Sequence, residues 1–492
     1  MGSAENPDAS LLVPPEGAIV PLLVNGQDYI DADPERHSSL HHEHNLTTPS
    51  KTIFQGADVK ITREAIDGAQ QAFANGWSQA SVPMRRALFH KMVEGIKQNE
   101  SALKALIKAE IHCDDLWADI QYHGGISVLE ESAASLSSEA TNGQILPTVV
   151  EGAYPLVVNE PYGVVLAMAP WNAPLILGLR CIAAPLAACN TVVFRGSEMS
   201  PRVHSFIANL VRYAGFPPGV CNFLLHRPQD AAEVFETCIS HPAVKKANFT
   251  GSTAVGRAIA TAAARFLKPV LLELGGKNVS IVLEDADLDK AAAASLQHAI
   301  INNGQVCMCT DTILVARPVL HAFSAALHRQ LGALSPADCR VISSTSRANL
   351  ARMLAEAAAD GATITQAPGG RCEGNLVPVA VLENLTAGAA YHTQEAFGPV
   401  VAVHAFGLEQ EAVDYVRATG YGLSSAVWTG DTMRAMRLAR QLDVGAVHVN
   451  GGTVHDEGNF PHGGVGNSGY GRFGGTWGLR EFTRSKTIML YP

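Results

Sequence analysis

Residues 244–283 read VKKANFTGSTAVGRAIATAAARFLKPVLLELGGKNVSIVL. A short apolar run, 244–249, ends in the glycine-containing turn Thr250-Gly251-Ser252-Thr253, which opens an alanine-rich helix. Two further apolar runs follow, 269–273 and 279–283, parted by Gly275-Gly276-Lys277. Short apolar strands alternating with helices belong to a parallel sheet covered on both faces, so this stretch predicts an α/β fold. The texture extends both ways. Upstream, runs at 163–168, 191–194 and 220–225 alternate with alanine-rich segments. Downstream, runs at 312–316, 377–381, 400–406, 424–428 and 446–449 alternate with helices expected over 319–331, 346–358 and 432–441, which predicts a second α/β unit. Residues 62–138 place apolar side chains at helical spacing, among them Leu88, Val93, Ile96, Leu103 and Ile107. Residues 1–58 are expected to be irregular, with short strands near 21–24 and 52–54. Two segments stand outside the alternation: 141–158, with strand character, and a last strand over 483–490. Strands of that kind commonly serve subunit contacts.

The chain has 492 residues, 47% hydrophobic and 17% charged. Soluble chains average about 25% charged residues, so a large globule, buried further by self-association, is expected. Disorder is excluded by the apolar content. The net charge of −10 argues against nucleic acid, which wants a basic face. No long basic stretch offers a membrane-surface patch. The most apolar run, 173–189, is broken by Arg180 and two prolines, short of the ~20 clean apolar residues a spanning helix needs. The N-terminal MGSAENPDAS lacks a signal-peptide pattern. Nine cysteines, an odd count at low density, read as reduced thiols in a cytoplasmic chain rather than a disulfide scaffold.

Five places have the makings of chemistry, the first four with a plainer alternative. Asn303-Gly304-Gln305-Val306-Cys307 reads as a tight turn presenting a thiol, although most cysteines are small hydrophobes. A nucleophilic cysteine needs a neighbouring base. Glu273 ends the apolar run 269–273, a costly place for a carboxylate unless it is functional or ion-paired. Asn172, after the run 163–168, stands where ligands of open α/β sheets sit; its amide suits an oxyanion or merely a turn. The turn at 250–253 offers a helix N-terminus to a pyrophosphate, or is only a strand-to-helix connection. Glu198, just after the run 191–194, suits ribose hydroxyls and repels a 2′-phosphate.

Taken together, Pro170-Trp171-Asn172, Phe249-Thr250-Gly251-Ser252, Leu272-Glu273-Leu274-Gly275-Gly276-Lys277, Gly304-Gln305-Val306-Cys307 and Glu395-Ala396-Phe397-Gly398-Pro399 resemble the NAD(P)-dependent aldehyde dehydrogenase superfamily. Order and spacing match from about residue 20 to 490. The stretches 453–457, 469–475 and 172–180 are similar to the salicylaldehyde, vanillin and benzaldehyde dehydrogenases.

The resemblance implies a Rossmann-type coenzyme domain (1–138 and 159–272), an α/β catalytic domain (273–478) and oligomerisation strands (139–158 and 479–492). It implies Cys307 as nucleophile, Asn172 as oxyanion donor and Glu273 as the base that hydrolyses a thioester. Trp171, Arg195, Glu198, Gly251, Ser252, Gly256, Leu274, Glu395 and Phe397 would bind the coenzyme, NAD in preference to NADP. Ala173, Leu177, Arg180, Val306 and His455 would meet an aromatic aldehyde, with Ala173 leaving room for a ring. Lys277 is expected to be structural. A homodimer or homotetramer with no nucleic-acid or membrane partner is implied. The coenzyme-A-dependent branch lacks the glutamate, so a free acid is the expected product.

The departures matter. Most relatives carry Lys where Arg195 stands, and often Phe where His462 stands; His462 either packs with the C-terminal stretch or alters the substrate mouth. Cys309 is expected to pack. No metal is expected: His41-His42-Glu43-His44 has no further ligands to complete a set, and the acids at 284–289 read as a helix start. The rival readings are a non-aromatic aldehyde or semialdehyde dehydrogenase, a thiol hydrolase using Cys307 and His455, a structural member of the fold, and a coenzyme-A-acylating enzyme.

Overall fold

The runs at 163–168, 191–194, 220–225, 244–249 and 269–273 lie side by side as parallel strands. The computed structural model describes residues 12–42, 50–138 and 140–492. The first sheet has the order Gly469–Tyr470, Val270–Leu274, Val244–Gly251, Val164–Met168, Thr191–Arg195, Cys221–Leu224, Leu22–Val24 and Gln27–Tyr29. Its outer strands are antiparallel. The central strand Val164–Met168 is buried at every residue, so both faces must be covered. Helices Val59–Ala74 and Pro174–Ala187 pack on the central strands, and Asp115–Ser135 packs on Pro174–Ala187. Phe194 and Phe223 meet in the core with ring centroids 5.4 Å apart. Truncating either to Ala would cost about 3–5 kcal/mol.

The second sheet has the order Thr363–Gln366, Ala380–Glu383, Val400–Phe406, Thr310–Ala316, Asn278–Val282, Ser424–Trp428 and Ala446–Val449. All but its first strand run parallel. The chain crosses between the two sheets over Gly275-Gly276-Lys277, directly from Val270–Leu274 to Asn278–Val282. Strand Gly469–Tyr470 crosses back and pairs with Leu272 and Glu273. The strands that bear the motifs therefore end in the crevice between the sheets.

Three expectations need correction. Residues 19–42 and 50–55 carry more strands than the sequence predicts: Ile19–Val20, Leu22–Val24, Gln27–Tyr29, His37–His42 and Ser50–Gln55. His37–His42 carries no apolar alternation; its order comes from pairing with Ser50–Gln55. The expected strand 377–381 is two strands. Leu376–Pro378 pairs with Asp338–Arg340 and Ala380–Glu383 joins the sheet, split next to Pro378, which has no N–H for a central ladder. Thr363–Gln366 is an edge strand that the pattern did not reveal.

Two other readings hold, the helix start at 284–289 and the last strand over 483–490. Asp287 caps helix Leu288–Ile300, as the acid-rich run implied. Thr483–Leu490 pairs along eight residues with Tyr154–Pro161, and Gln144–Ile145 joins them. This small sheet and its loop expose Ile145, Val149, Tyr154, Ile488 and Leu490. Among the described residues, no helix is long and apolar enough to cross a membrane. Of the run 41–44, Glu43 and His44 lie outside the described residues, and among the described residues no cluster of three ligating side chains forms.

Candidate active site

Cys307 sits on a turn built by three successive left-handed residues, Asn302, Asn303 and Gly304, with φ of 48°, 59° and 74°. Gly304 touches the backbone of Gly398 so closely that a Cβ would stand 2.2 Å from its carbonyl carbon. Asn278, at the crossover, donates to the carbonyls of Cys307 and Cys309 at 2.8 and 2.9 Å. Its own carbonyl accepts from the Ser424 N–H at 3.0 Å. Gln305 accepts from the Ile342 N–H at 2.8 Å. The turn is thus fixed to strand Asn278–Val282 of the second sheet and to the segment that follows Asp338–Arg340. Cys309 is buried with its thiol toward the Ile301 carbonyl, a packing residue as expected.

Asn172 reaches this turn from the first sheet. Its side-chain amide donates to the Gln305 carbonyl at 2.9 Å. Trp117 and Asn302 donate to its backbone carbonyl at 3.1 and 2.9 Å. An amide nitrogen has two hydrogens, and one of them makes the bond to Gln305.

Glu273 is 1% exposed. Among the described residues, no group hydrogen-bonds to either of its carboxylate oxygens. Burial, and after it the Glu273 charge, push the Cys307 thiol well above its ordinary range. The nearest cationic candidate to Glu273 is His462, whose Nε2 is 3.6 Å from Oε1.

A cleft of about 830 Å³ runs from Cys307, Glu273 and Asn172 past Glu395 and Phe397 to Thr250, Gly251 and Ser252. This is the size of a small-molecule site. Ser252 caps helix Thr253–Ala264 by accepting from Val255, and the helix N-terminus faces the cleft. Phe397 stands edge-on to Trp171, centroids 5.9 Å apart. Glu395 accepts from the Gly276 N–H at 3.1 Å. Burial pushes its carboxyl up to about 8, against the pull of that N–H. Lys277 is structural, as expected: it is buried, donates to Asp311 and to the Gln394 carbonyl at 2.7 Å each, and so ties the Glu395 loop to the second sheet. Gly256 and Leu274 are outside the cleft lining; a Cβ on Gly256 would meet Leu274 at 2.4 Å, so the pair seats the helix on the sheet. Arg195 donates to His226 Nε2 at 2.6 Å. Burial, then the Arg195 charge, drop His226 to about 4, leaving a neutral ring to accept. An anion-receptive helix start, two ring faces and a carboxylate suit a nicotinamide dinucleotide.

The residues expected to meet substrate divide. Ala173, Leu177 and Val306 are buried. Arg180 is buried as well, its guanidinium bonded to Asp456. His455 is exposed and bonded to Glu457 at 3.1 Å, so the imidazole beside the central carboxylate is His462. Sequence reasoning missed Asp456 and His462 as a pair, and missed Asn278 altogether. A histidine where relatives often carry Phe is the available signal for the first; a lone Asn between Lys277 and the run 279–283 gives none for the second.

The chain is 36% identical to vanillin dehydrogenase of Pseudomonas fluorescens, covering 96% of this chain and 98% of that one. A crystal structure of salicylaldehyde dehydrogenase from Pseudomonas putida G7, complexed with salicylaldehyde, superposes with a TM-score of 0.91 at 32% identity, over 96% and 98% of the two chains. Betaine aldehyde dehydrogenase from Staphylococcus aureus in complex with NAD+ superposes with a TM-score of 0.89 at 28% identity, over 96% and 94%. With the model of the Aldehyde dehydrogenase family matching residues 41–488, the chain belongs to that family and is an oxidoreductase that acts on aldehydes with a nicotinamide cofactor.

Proposed function

We propose that this protein oxidises an aromatic aldehyde to its carboxylic acid, with NAD as coenzyme and no acyl transfer to coenzyme A. The observation that carries the reading is the shared cleft: Cys307, Glu273 and Asn172 line it together with the glycine turn at 251–252. Cys307 attacks the aldehyde carbon. Asn172, with the backbone N–H of Cys307, stabilises the oxyanion. Bound in the cleft, NAD supplies a hydride acceptor. Glu273 then activates a water that hydrolyses the thioester, and splitting the reaction in two lowers each barrier.

Trp171, Gly251, Ser252, Glu395 and Phe397 hold the coenzyme directly, and Gly256 and Leu274 support it from behind. Arg195 and Glu198 hold the adenosine ribose, and the Glu198 charge disfavours a 2′-phosphate. The aromatic preference is supported by the vanillin- and salicylaldehyde-acting relatives and by the small, apolar Ala173, Leu177 and Val306. Arg180 with Asp456, and His455 at the rim, complete the substrate side. The first sheet and its helices form the coenzyme unit (1–138, 159–272), residues 273–478 the catalytic unit, and 139–158 with 479–492 a homodimer or homotetramer contact supported by the exposed apolar strands. Nine free cysteines support a cytoplasmic location.

The test is NADH absorbance with a panel of aromatic and aliphatic aldehydes, beside Cys307→Ala. Signal lost in Cys307→Ala and highest kcat/KM for benzaldehyde-type compounds are expected. A clear aliphatic preference removes the aromatic assignment, and signal with NADP alone reverses the coenzyme assignment.

A further inference from the structure

Four buried side chains form a file from helix Pro174–Ala187 to the end of strand Val270–Leu274. Arg180 is bonded to Oδ2 of Asp456. The same oxygen is 3.5 Å from His462 Nδ1. The other ring nitrogen, Nε2, is 3.6 Å from Glu273 Oε1. The side chains of Arg180, Asp456, His462 and Glu273 are 9, 11, 7 and 1% exposed. The His462 backbone is pinned in both directions to Phe473, at 3.0 and 2.8 Å, so the ring has little freedom to turn away.

The order of charges gives each nitrogen a role. Burial works to raise the Asp456 carboxyl, but Arg180, and after it His462, hold it below the usual carboxylate range. An ionised Asp456 faces Nδ1 and so turns Nε2 toward Glu273. Glu273 has no other hydrogen-bond partner among the described residues. Once it has taken a proton from water, His462 Nε2 stands 3.6 Å away as an acceptor. Separations of 3.5–3.6 Å in a resting site shorten to hydrogen bonds as a reaction complex forms.

We propose that His462 is the positioning residue and proton acceptor for Glu273, itself oriented by Asp456 and Arg180, and that it restores the Glu273 carboxylate during thioester hydrolysis. This rests on Glu273 being the base of that step. The O–H bond of the protonated Glu273 breaks and an N–H bond forms at His462 Nε2; the C–S bond breaks as the acid forms and the Cys307 sulfur takes the second proton of the water, so carboxylate, thiol and one proton on His462 account for the water, and no electrons change hands. The imidazolium then lies between two carboxylates with Arg180 beyond, two positive and two negative charges in one buried file. Solvent takes the proton as product leaves.

The test uses the full enzyme with NAD and benzaldehyde: burst and steady-state kinetics, and the intact mass of acid-quenched protein, for wild type, Glu273→Gln, His462→Gln and His462→Phe. Both His462 variants are expected to keep the fast NADH burst and then turn over about 10- to 100-fold more slowly, a part of what general acid–base catalysis supplies. KM should fall with kcat, and acyl-enzyme mass should accumulate on Cys307, as in Glu273→Gln. The burst counts folded sites, so a folding defect cannot mimic slow hydrolysis per site. Wild-type turnover in His462→Gln, or a slowed burst with no acyl mass, overturns the proposal. If Glu273→Gln itself accumulates no acyl-enzyme, the assignment of Glu273 falls, and the role of His462 falls with it.

Discussion

The side-chain amide of Asn172 donates to the carbonyl of Gln305 at 2.9 Å, joining the end of a first-sheet strand to the turn that carries Cys307. That bond fixes the amide plane with one N–H committed and the other free for the reacting oxygen. Asn172→Ala removes an oxyanion donor, a change that typically costs about 10²–10³ in kcat, near 2.7–4 kcal/mol. Stopped-flow measurement should place the loss in the burst phase. An unchanged burst with slow turnover would instead put Asn172 in hydrolysis.

Glu273 influences Cys307 before any substrate arrives. Burial first, then the Glu273 charge, hold the thiol well above its ordinary range, so the free enzyme carries a neutral thiol at pH 7. Alkylation by iodoacetamide should therefore speed up as pH rises through the alkaline range. Glu273→Gln removes the second cause and leaves the first. Its alkylation profile should move to lower pH yet stay above that of a free cysteine. A profile that moves upward would show that Glu273 assists thiolate formation more than it opposes it.

Glu395 offers a pH test of stability. Its folded carboxyl is raised from 4.5 to about 8 by burial. The folded state therefore binds this proton more tightly than the unfolded chain does. The resulting stability is present in full below about 4.5 and is lost as pH rises through about 8. Glu395→Gln should flatten the pH dependence of Tm of the coenzyme-free protein between those limits. An undiminished slope in the variant would assign that dependence to other groups.

The strands were legible because burial on both faces forces apolar runs, and Val164–Met168 and Val270–Leu274 show it plainly. Cys307, Glu273 and Asn172 were legible because each sits in a short motif at a strand end or a tight turn. Polar order was not. His37–His42 becomes a strand only through its partner, and Asn278 supports the Cys307 turn from a position that reads as part of an apolar run. The file from Arg180 to Glu273 joins residues 276 positions apart between Arg180 and Asp456, a distance no local pattern spans.

Gly304 is required by its backbone. Its φ of 74° is unfavourable for a side chain, and a Cβ would meet the Gly398 carbonyl carbon at 2.2 Å and its oxygen at 2.3 Å. Both obstacles are main chain, so neither can rotate aside. Gly304→Ala should destabilise the protein by at least about 1–2 kcal/mol from the left-handed strain alone. It should also cut kcat, since the turn carries Cys307. Denaturant melts and a thiol titration check both, and a variant with wild-type stability and rate would show that the turn has room to relax.

Coenzyme choice tests the charge reading near Arg195. The Arg195 guanidinium is engaged by a neutral His226 at 2.6 Å, and Glu198 lies within electrostatic reach of it. With Glu198 ionised, a 2′-phosphate would face repulsion that Arg195 offsets only in part. Glu198→Gln removes the negative charge while keeping a side chain that bonds ribose hydroxyls. The ratio of kcat/KM for NADP over NAD should rise at least about tenfold, the equivalent of 1.4 kcal/mol. The gain should shrink as salt is added, because the half-buried Glu198 is still reached by screening ions. Unchanged discrimination at low salt would mean that packing around the ribose, and not the Glu198 charge, selects the coenzyme.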